Sequence, residues 1–158
     1  MKCEPNSTLA RMGGKTVIND NYAAAGHVPA LMSEWLDGFE HRRRDSAVSP
    51  LDAYVWSHAT FARIHPCADG NGRRARLLAN LPVIAKGHLP ILIPGEQRLD
   101  YAGRLAEWQM VSGPPVPAQP LGGDAAALSG FMTLCELCRR ESDEILMEAL
   151  AAQEKRRA

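Results

Sequence analysis

Wherever this chain is not broken by proline or glycine, its apolar residues recur at three- and four-residue spacing, and that period dictates helices. Leu31, Met32, Trp35, Leu36 and Phe39 form one stripe. It follows Pro29, suited to a first helical turn, and precedes His41-Arg42-Arg43-Arg44, cations suited to the negative end of the helix dipole. Leu51, Tyr54, Val55, His58, Phe61 and Ala62 form a second, opened by Ser49-Pro50 as N-cap and first helical residue and broken by Pro66. A third helix runs from Arg73 to about Lys86 on Ala75, Leu77, Leu78 and Leu81, with Gly87 as its stop and Pro82 expected to kink or shorten it. After an apolar connector over 88–94, residues 96–110 turn Leu105 and Trp108 inward. A proline- and glycine-rich loop over 112–123 leads to a last helix over 124–155, striped by Leu128, Phe131, Cys135, Cys138, Ser142, Ile145 and Ala149.

Strand signal is confined to the N-terminal part. Residues 1–14 read as irregular; Thr16-Val17-Ile18, an Asn19-Asp20-Asn21 turn and Tyr22-Ala23-Ala24 then predict a small hairpin. The chain therefore reads as a single domain over 1–158, an all-α helical bundle with a small β-hairpin. Residues 1–27 hold the irregular segment and hairpin, 28–110 the core and 124–155 the C-terminal helix.

The 158 residues suffice for one full core, and 18 basic against 18 acidic side chains argue against general nucleic-acid binding. No apolar run approaches the ~18 residues of a membrane span, and Met1-Lys2-Cys3-Glu4-Pro5-Asn6 lacks the apolar region of a secretory signal. A cytoplasmic setting is the expectation, with delivery into another cell by a specialised secretion system left open. Cys3, Cys67, Cys135 and Cys138 make no disulfide framework, and the Cys135/Cys138 pair falls on a buried helical stripe, which favours packing over redox or zinc chemistry.

Chemistry concentrates in His65-Pro66-Cys67-Ala68-Asp69-Gly70-Asn71-Gly72-Arg73-Arg74-Ala75-Arg76. Gly70 and Gly72 let backbone N–H groups approach an anion at the start of a helix, whose dipole favours phosphate. Asn71 is placed to donate from its amide to a phosphate oxygen. Arg73 and Arg76 share a helix face and can grip successive phosphates as planar forks, whereas Arg74 lies off that face. Asp69 is the hard oxygen ligand that Mg²⁺ prefers, and His65 can be a neutral base near pH 7. His58 sits on an apolar face and reads as a hydrogen-bonded core histidine; no further ligands accompany it and His65 as a metal pair. Gly14-Lys15-Thr16 is no P-loop, because Leu9 stands where that motif needs glycine.

This stretch resembles the signature of Fic-domain proteins, HxFx(D/E)GNGRxxR, at every defined position but one: Cys67 stands where the signature has Phe. Ile64, His58 and Leu77-Leu78-Ala79-Asn80 agree as flanks, and the resemblance runs from about Val28 to Trp108. It implies a Fic-fold helical bundle and a protein adenylyltransferase that moves AMP from Mg·ATP to a Tyr, Thr or Ser hydroxyl of a target protein. His65 would be the base, Asp69 the Mg²⁺ ligand, Gly70, Asn71 and Gly72 the α-phosphate site, and Arg73 and Arg76 the grip on the outer phosphates. Thr16, Val17 and Ile18 would belong to the flap that holds the target by strand addition. Related Doc proteins carry Lys at the position of Gly72 and act as kinases, so Gly72 favours nucleotidyl transfer. Transfer of another nucleotide or phosphate-linked group, or a non-catalytic nucleotide-binding module, are the competing readings. Cys67 is a smaller plug than Phe, and such a change costs ~2–5 kcal/mol unless neighbours fill the space. Many Fic proteins are held off by a helix carrying (S/T)xxxE(G/N). The nearest match here, Ser33 to Gly38, has Asp37 at the key position and lies within a core helix, so the chain is expected to be either constitutively active or restrained by a separate, antitoxin-like protein that supplies the glutamate in trans.

Overall fold

A computed structural model describes residues 7–157. Residues 1–6, and with them Cys3, lie outside the described residues. The chain order is a hairpin of β1 (Thr8–Met12) and β2 (Lys15–Asn19), then α1 (Val28–Arg44), α2 (Pro50–Ile64), α3 (Asn71–Ala85), α4 (Arg98–Ser112) and α5 (Ala125–Arg157). Short 3₁₀ turns over 25–27 and 95–97 lead into α1 and α4. The architecture is an all-α bundle with a small two-stranded sheet.

The bundle is built around α2. Eleven of its fifteen residues are buried, more than the single stripe read from the sequence, because α1, α3 and α5 all pack on it. Ser49 caps it, accepting from the Asp52 amide at 3.0 Å, and Pro50 opens it. Trp35 and Phe39 of α1 stack at 4.9 Å between centroids, and Phe61 meets the Trp35 ring edge-on at 5.3 Å. Gly38 lets α1 come this close: a Cβ there would lie 2.4 Å from the Trp56 ring. Arg63, buried near the end of α2, donates to the Ser112, Gly113 and Leu121 carbonyls at 2.8–3.0 Å, which pins the loop after α4.

Several expectations are corrected. The hairpin exists, and Thr16, Val17 and Ile18 are in its second strand, but its partner strand lies upstream in the stretch read as irregular. Thr8 pairs with Asn19 and Met12 with Lys15. Gly13 and Gly14, at φ 55° and 78°, make the two-residue turn, since only positive φ at both positions matches the twist of the strands. Of the expected Asn19-Asp20-Asn21 turn, Asn19 ends β2 and Asp20-Asn21 follow the hairpin as irregular chain with a bend at Tyr22; Tyr22-Ala23-Ala24 is not a strand. On α3 the inward face is Ala75, Ala79, Pro82 and Val83, while Leu77 and Leu81 are exposed: α3 approaches α2 on small residues, and the leucines fall on the opposite side. Pro82 does not end α3, because it sits in the last turn, where the amides of Lys86, Gly87 and His88 satisfy the carbonyls of 82–84. Leu36 is exposed, as are Ile145 and Ala149, since α5 outruns the core after Cys138. Among the described residues no helix is long and apolar enough to cross a membrane.

Candidate functional site

The end of α2 aims His65. As C-cap residue it adopts φ 54°, ψ 56°, a left-handed backbone uncommon for a residue with a side chain. Its Nδ1 lies 3.1 Å from the Ala62 carbonyl oxygen, which can only accept, so Nδ1 carries the proton and Nε2 the lone pair of the neutral ring. The Tyr22 ring lies against the imidazole, 4.2 Å between centroids at 49°.

Residues 65–70 then turn into α3, whose N-cap is Gly70 at φ 76°. Asn71 is buried and its side chain closes this turn: Nδ2 donates to the Cys67 carbonyl at 2.7 Å and Oδ1 accepts the Cys67 amide at 2.9 Å. One of the two Nδ2 hydrogens serves that bond, so closing the loop stands beside the expected donation to a phosphate and does not replace it. Cys67, half-buried, is held here through its backbone, a hold that does not depend on a large side chain. Arg74, read as off the functional face, braces the same turn by donating to the Asp69 carbonyl.

The remaining predicted residues gather on one cleft of about 720 Å³, lined by His65, Asp69, Gly70, Asn71, Gly72, Arg73 and Arg76 on one side. Ile93, Pro94, Gly95, Arg98, Tyr101 and Ala102 of the following segment and α4 form the other side, and Thr8 of the hairpin borders it. The Asp69 carboxylate is almost fully exposed, 3.5 Å from the Arg73 guanidinium, an open pair that Coulomb attraction holds only weakly. Among the described lining residues Asp69 is the one carboxylate, and no three His, Cys, Asp or Glu of the described residues cluster into a metal site. A cation at Asp69 must draw its other ligands from substrate oxygens and water, which is the manner of Mg²⁺.

Behind the cleft, the Arg76 guanidinium lies 5.5 Å from the Tyr101 ring centroid, and the Tyr101 hydroxyl is 3.0 Å from His58 Nε2. His58 is fully buried and burial pushes its pKa down to about 3, with the Arg76 charge adding to the effect, so it is neutral and structural as its apolar stripe implied. Burial also raises the thiols of Cys135 and Cys138 above their ordinary range, which fits packing rather than redox chemistry. Thr16, Val17 and Ile18 do not line the cleft; the hairpin borders it through Thr8 instead. Asp37 lies elsewhere, beside Glu40, His41 and Arg44, and not on the cleft that holds Arg76.

Tyr22, Tyr101, Thr8 and Arg98 were given no role by the sequence. Their placement depends on how the hairpin and α4 fold over the loop, and nothing in their local spacing marks them. One signal was present: Gly13-Gly14 between two short runs marks a hairpin whose first strand begins at Thr8.

Residues 7–83 match the model of the Fic/DOC family. The chain is similar to the protein adenylyltransferase Fic of Drosophila persimilis, 34% identical over 95 residues that cover 56% of this chain and 18% of that protein. The Drosophila melanogaster protein of the same description is 33% identical over 95 residues, covering 56% of this chain and 19% of its own length. Among solved structures it is similar to a Fic domain containing signaling protein from Bacteroides thetaiotaomicron, with a TM-score of 0.66 and 27% identity, covering 88% of this chain and 49% of that one. The chain thus spans less than a fifth of the curated relatives it matches and about half of that solved chain.

Proposed function

Because the chain belongs to the Fic/DOC family, we propose that it is a protein adenylyltransferase, which moves AMP from Mg²⁺-bound ATP to a Tyr, Thr or Ser hydroxyl of another protein. The observation that carries this reading is His65, its Nδ1 committed to the Ala62 carbonyl, on the same cleft wall as Gly70, Gly72, Arg73 and Arg76. That setting leaves Nε2 as the basic nitrogen beside an anion-binding helix start.

In the proposed reaction His65 Nε2 takes the hydroxyl proton and the oxygen forms a bond to the α-phosphorus. The bond from that phosphorus to the β-phosphate bridging oxygen breaks, and pyrophosphate leaves. The backbone amides that open α3 stabilise the α-phosphate oxygens, while Arg73 and Arg76 hold the outer phosphates. Asp69 would hold Mg²⁺ together with phosphate oxygens once its pair with Arg73 opens; the ion supplies charge neutralisation on the phosphates. Phosphoryl chemistry is mostly positioning and charge stabilisation, and this set of groups meets that need in kind.

Gly72 supports nucleotidyl transfer specifically. A Cβ there would meet the Tyr101 hydroxyl at 3.6 Å and Arg76 Nη1 at 3.7 Å, ordinary contact distances, so a lysine at this position would oppose the phosphate-gripping arginine by its like charge and not for want of space. The test is incubation of the purified chain and candidate targets with ATP labelled at the α- or the γ-phosphate, beside other labelled nucleotides. Label should follow the α-phosphate of ATP only. His65→Ala should lower transfer by ~10²–10⁴-fold while ATP affinity is kept. Transfer of the γ-label would make the protein a kinase, and a preference for another base would replace AMP by that nucleotide.

A further inference from the structure

The backbone of His65 leaves its imidazole poorly determined. The bond to Ala62, a carbonyl of the last turn of α2, fixes one ring atom and leaves the ring plane to be set by other contacts. The second restraint is the face of Tyr22, 4.2 Å from the imidazole centroid. Tyr22 comes from the segment between the hairpin and α1, is nearly buried, and reaches both strands through its hydroxyl. That hydroxyl shares a 2.6 Å hydrogen bond with Thr8 Oγ1 of β1 and accepts from Asn19 Nδ2 of β2 at 3.3 Å. Asn19 is itself anchored, donating to Gln109 Oε1 of α4. A small cavity of about 210 Å³, bordered by Thr8, Asn19, Tyr22, His65 and Gln109, opens beside these groups and shares His65 and Thr8 with the cleft.

We propose that Tyr22 is the positioning residue for His65: its ring sets the imidazole, and its hydroxyl ties that setting to both strands of the hairpin. A buried tyrosine needs partners for its hydroxyl in any case, but packing alone does not require its ring to lie against the imidazole of the base. Anything that orders the hairpin therefore orders the base, through two hydrogen bonds and one ring contact. The inference rests on reading His65 as the base, yet its geometric half is testable without nucleotide or target.

The experiment compares wild type, Tyr22→Ala and Tyr22→Phe. Two-bond ¹H–¹⁵N spectra of the histidines read the His65 tautomer in the nucleotide-free protein, hydrogen exchange reads the hairpin, and single-turnover autolabelling from α-labelled ATP reads the rate. Tyr22→Ala should let the ring swing off the Ala62 carbonyl, giving His65 a mixture of tautomers and slowing labelling by about 10–100-fold, the scale of a misplaced group, with ATP affinity kept. Tyr22→Phe keeps the ring and so should keep the tautomer, while amides of 8–19 exchange roughly five- to a hundredfold faster, the scale of the two hydrogen bonds lost. If Tyr22→Ala melts, Tyr22→Leu removes the aromatic face with less loss of volume and carries the same readouts. An unchanged His65 spectrum in Tyr22→Ala or Tyr22→Leu overturns the proposal, as does unchanged hairpin exchange in Tyr22→Phe. A wild type that does not label from ATP, with the tautomer still lost in Tyr22→Ala, counts against the adenylyltransferase reading and leaves Tyr22 as the positioner.

Discussion

Asn71 shows how one side chain can carry a structural duty beside the role its type suggests. An amide between two glycines at a helix start suggests a phosphate donor, yet both of its polar atoms close the loop on the Cys67 backbone. The difference is measurable. Asn71→Ala leaves a backbone N–H and C=O without their partners, a loss of ~1–3 kcal/mol if water cannot replace it. The nucleotide-free protein should therefore melt several degrees lower by calorimetry. A side chain used only to hold phosphate would leave that melting temperature unchanged and lower nucleotide affinity alone. The loop-closing role also explains how Cys67 can occupy a position where the signature has Phe: the loop is held from its backbone as well as from any plug beneath it.

At the scale of elements, the hairpin is placed by α4 as much as by its own turn. Gly103 of α4 makes the approach possible, since a Cβ there would lie 2.7 Å from the Arg11 carbonyl oxygen. The contact is with backbone, so no side chain can swing away to relieve it. Gly103→Ala should push β1 off α4 at a cost of about 1–3 kcal/mol, as overpacking does. Labelling should fall with it while ATP affinity stays within about twofold, the pattern of a lost transition-state contact. Equal losses of rate and ATP affinity would show that the hairpin serves the nucleotide rather than the acceptor. The same dependence accounts for the strand register: Thr8 and Asn19 are paired across the sheet and both reach Tyr22.

Across the whole molecule the core and the site share a boundary at His58. Its imidazole stands between Tyr54, Tyr101 and Phe131, from α2, α4 and α5, with Arg76 of α3 as the nearby charge. Its folded-state pKa, about 3, is below the ordinary 6.5 of the unfolded chain, so between these values the unfolded chain binds the extra proton. The stability it contributes is complete above pH 6.5 and is lost as pH falls toward 3. Melting temperature should drop through this window in the wild type, and the fall should be shallower in His58→Gln, which cannot take up the proton. An equal slope in the two proteins would mean that other groups carry the acid sensitivity.

The sequence by itself determined the helices, the loop that carries the chemistry and the residue types within it, because periodicity, capping and short motifs act within a few residues. It therefore placed His65, Asp69, Gly70, Gly72, Arg73 and Arg76 within reach of one another, and in the structure all six line one cleft. It could not say which side of α3 faces inward: Leu77 and Leu81 are more apolar than Ala75 and Ala79, yet close approach to α2 favours the smaller side chains. Nor could it place Tyr22 on His65 or Tyr101 behind Arg76. Those contacts join residues 43 and 25 positions apart, and they exist only because the hairpin and α4 fold back over the loop. Local physics wrote the reactive loop; the tertiary packing of distant segments decided how its base is held.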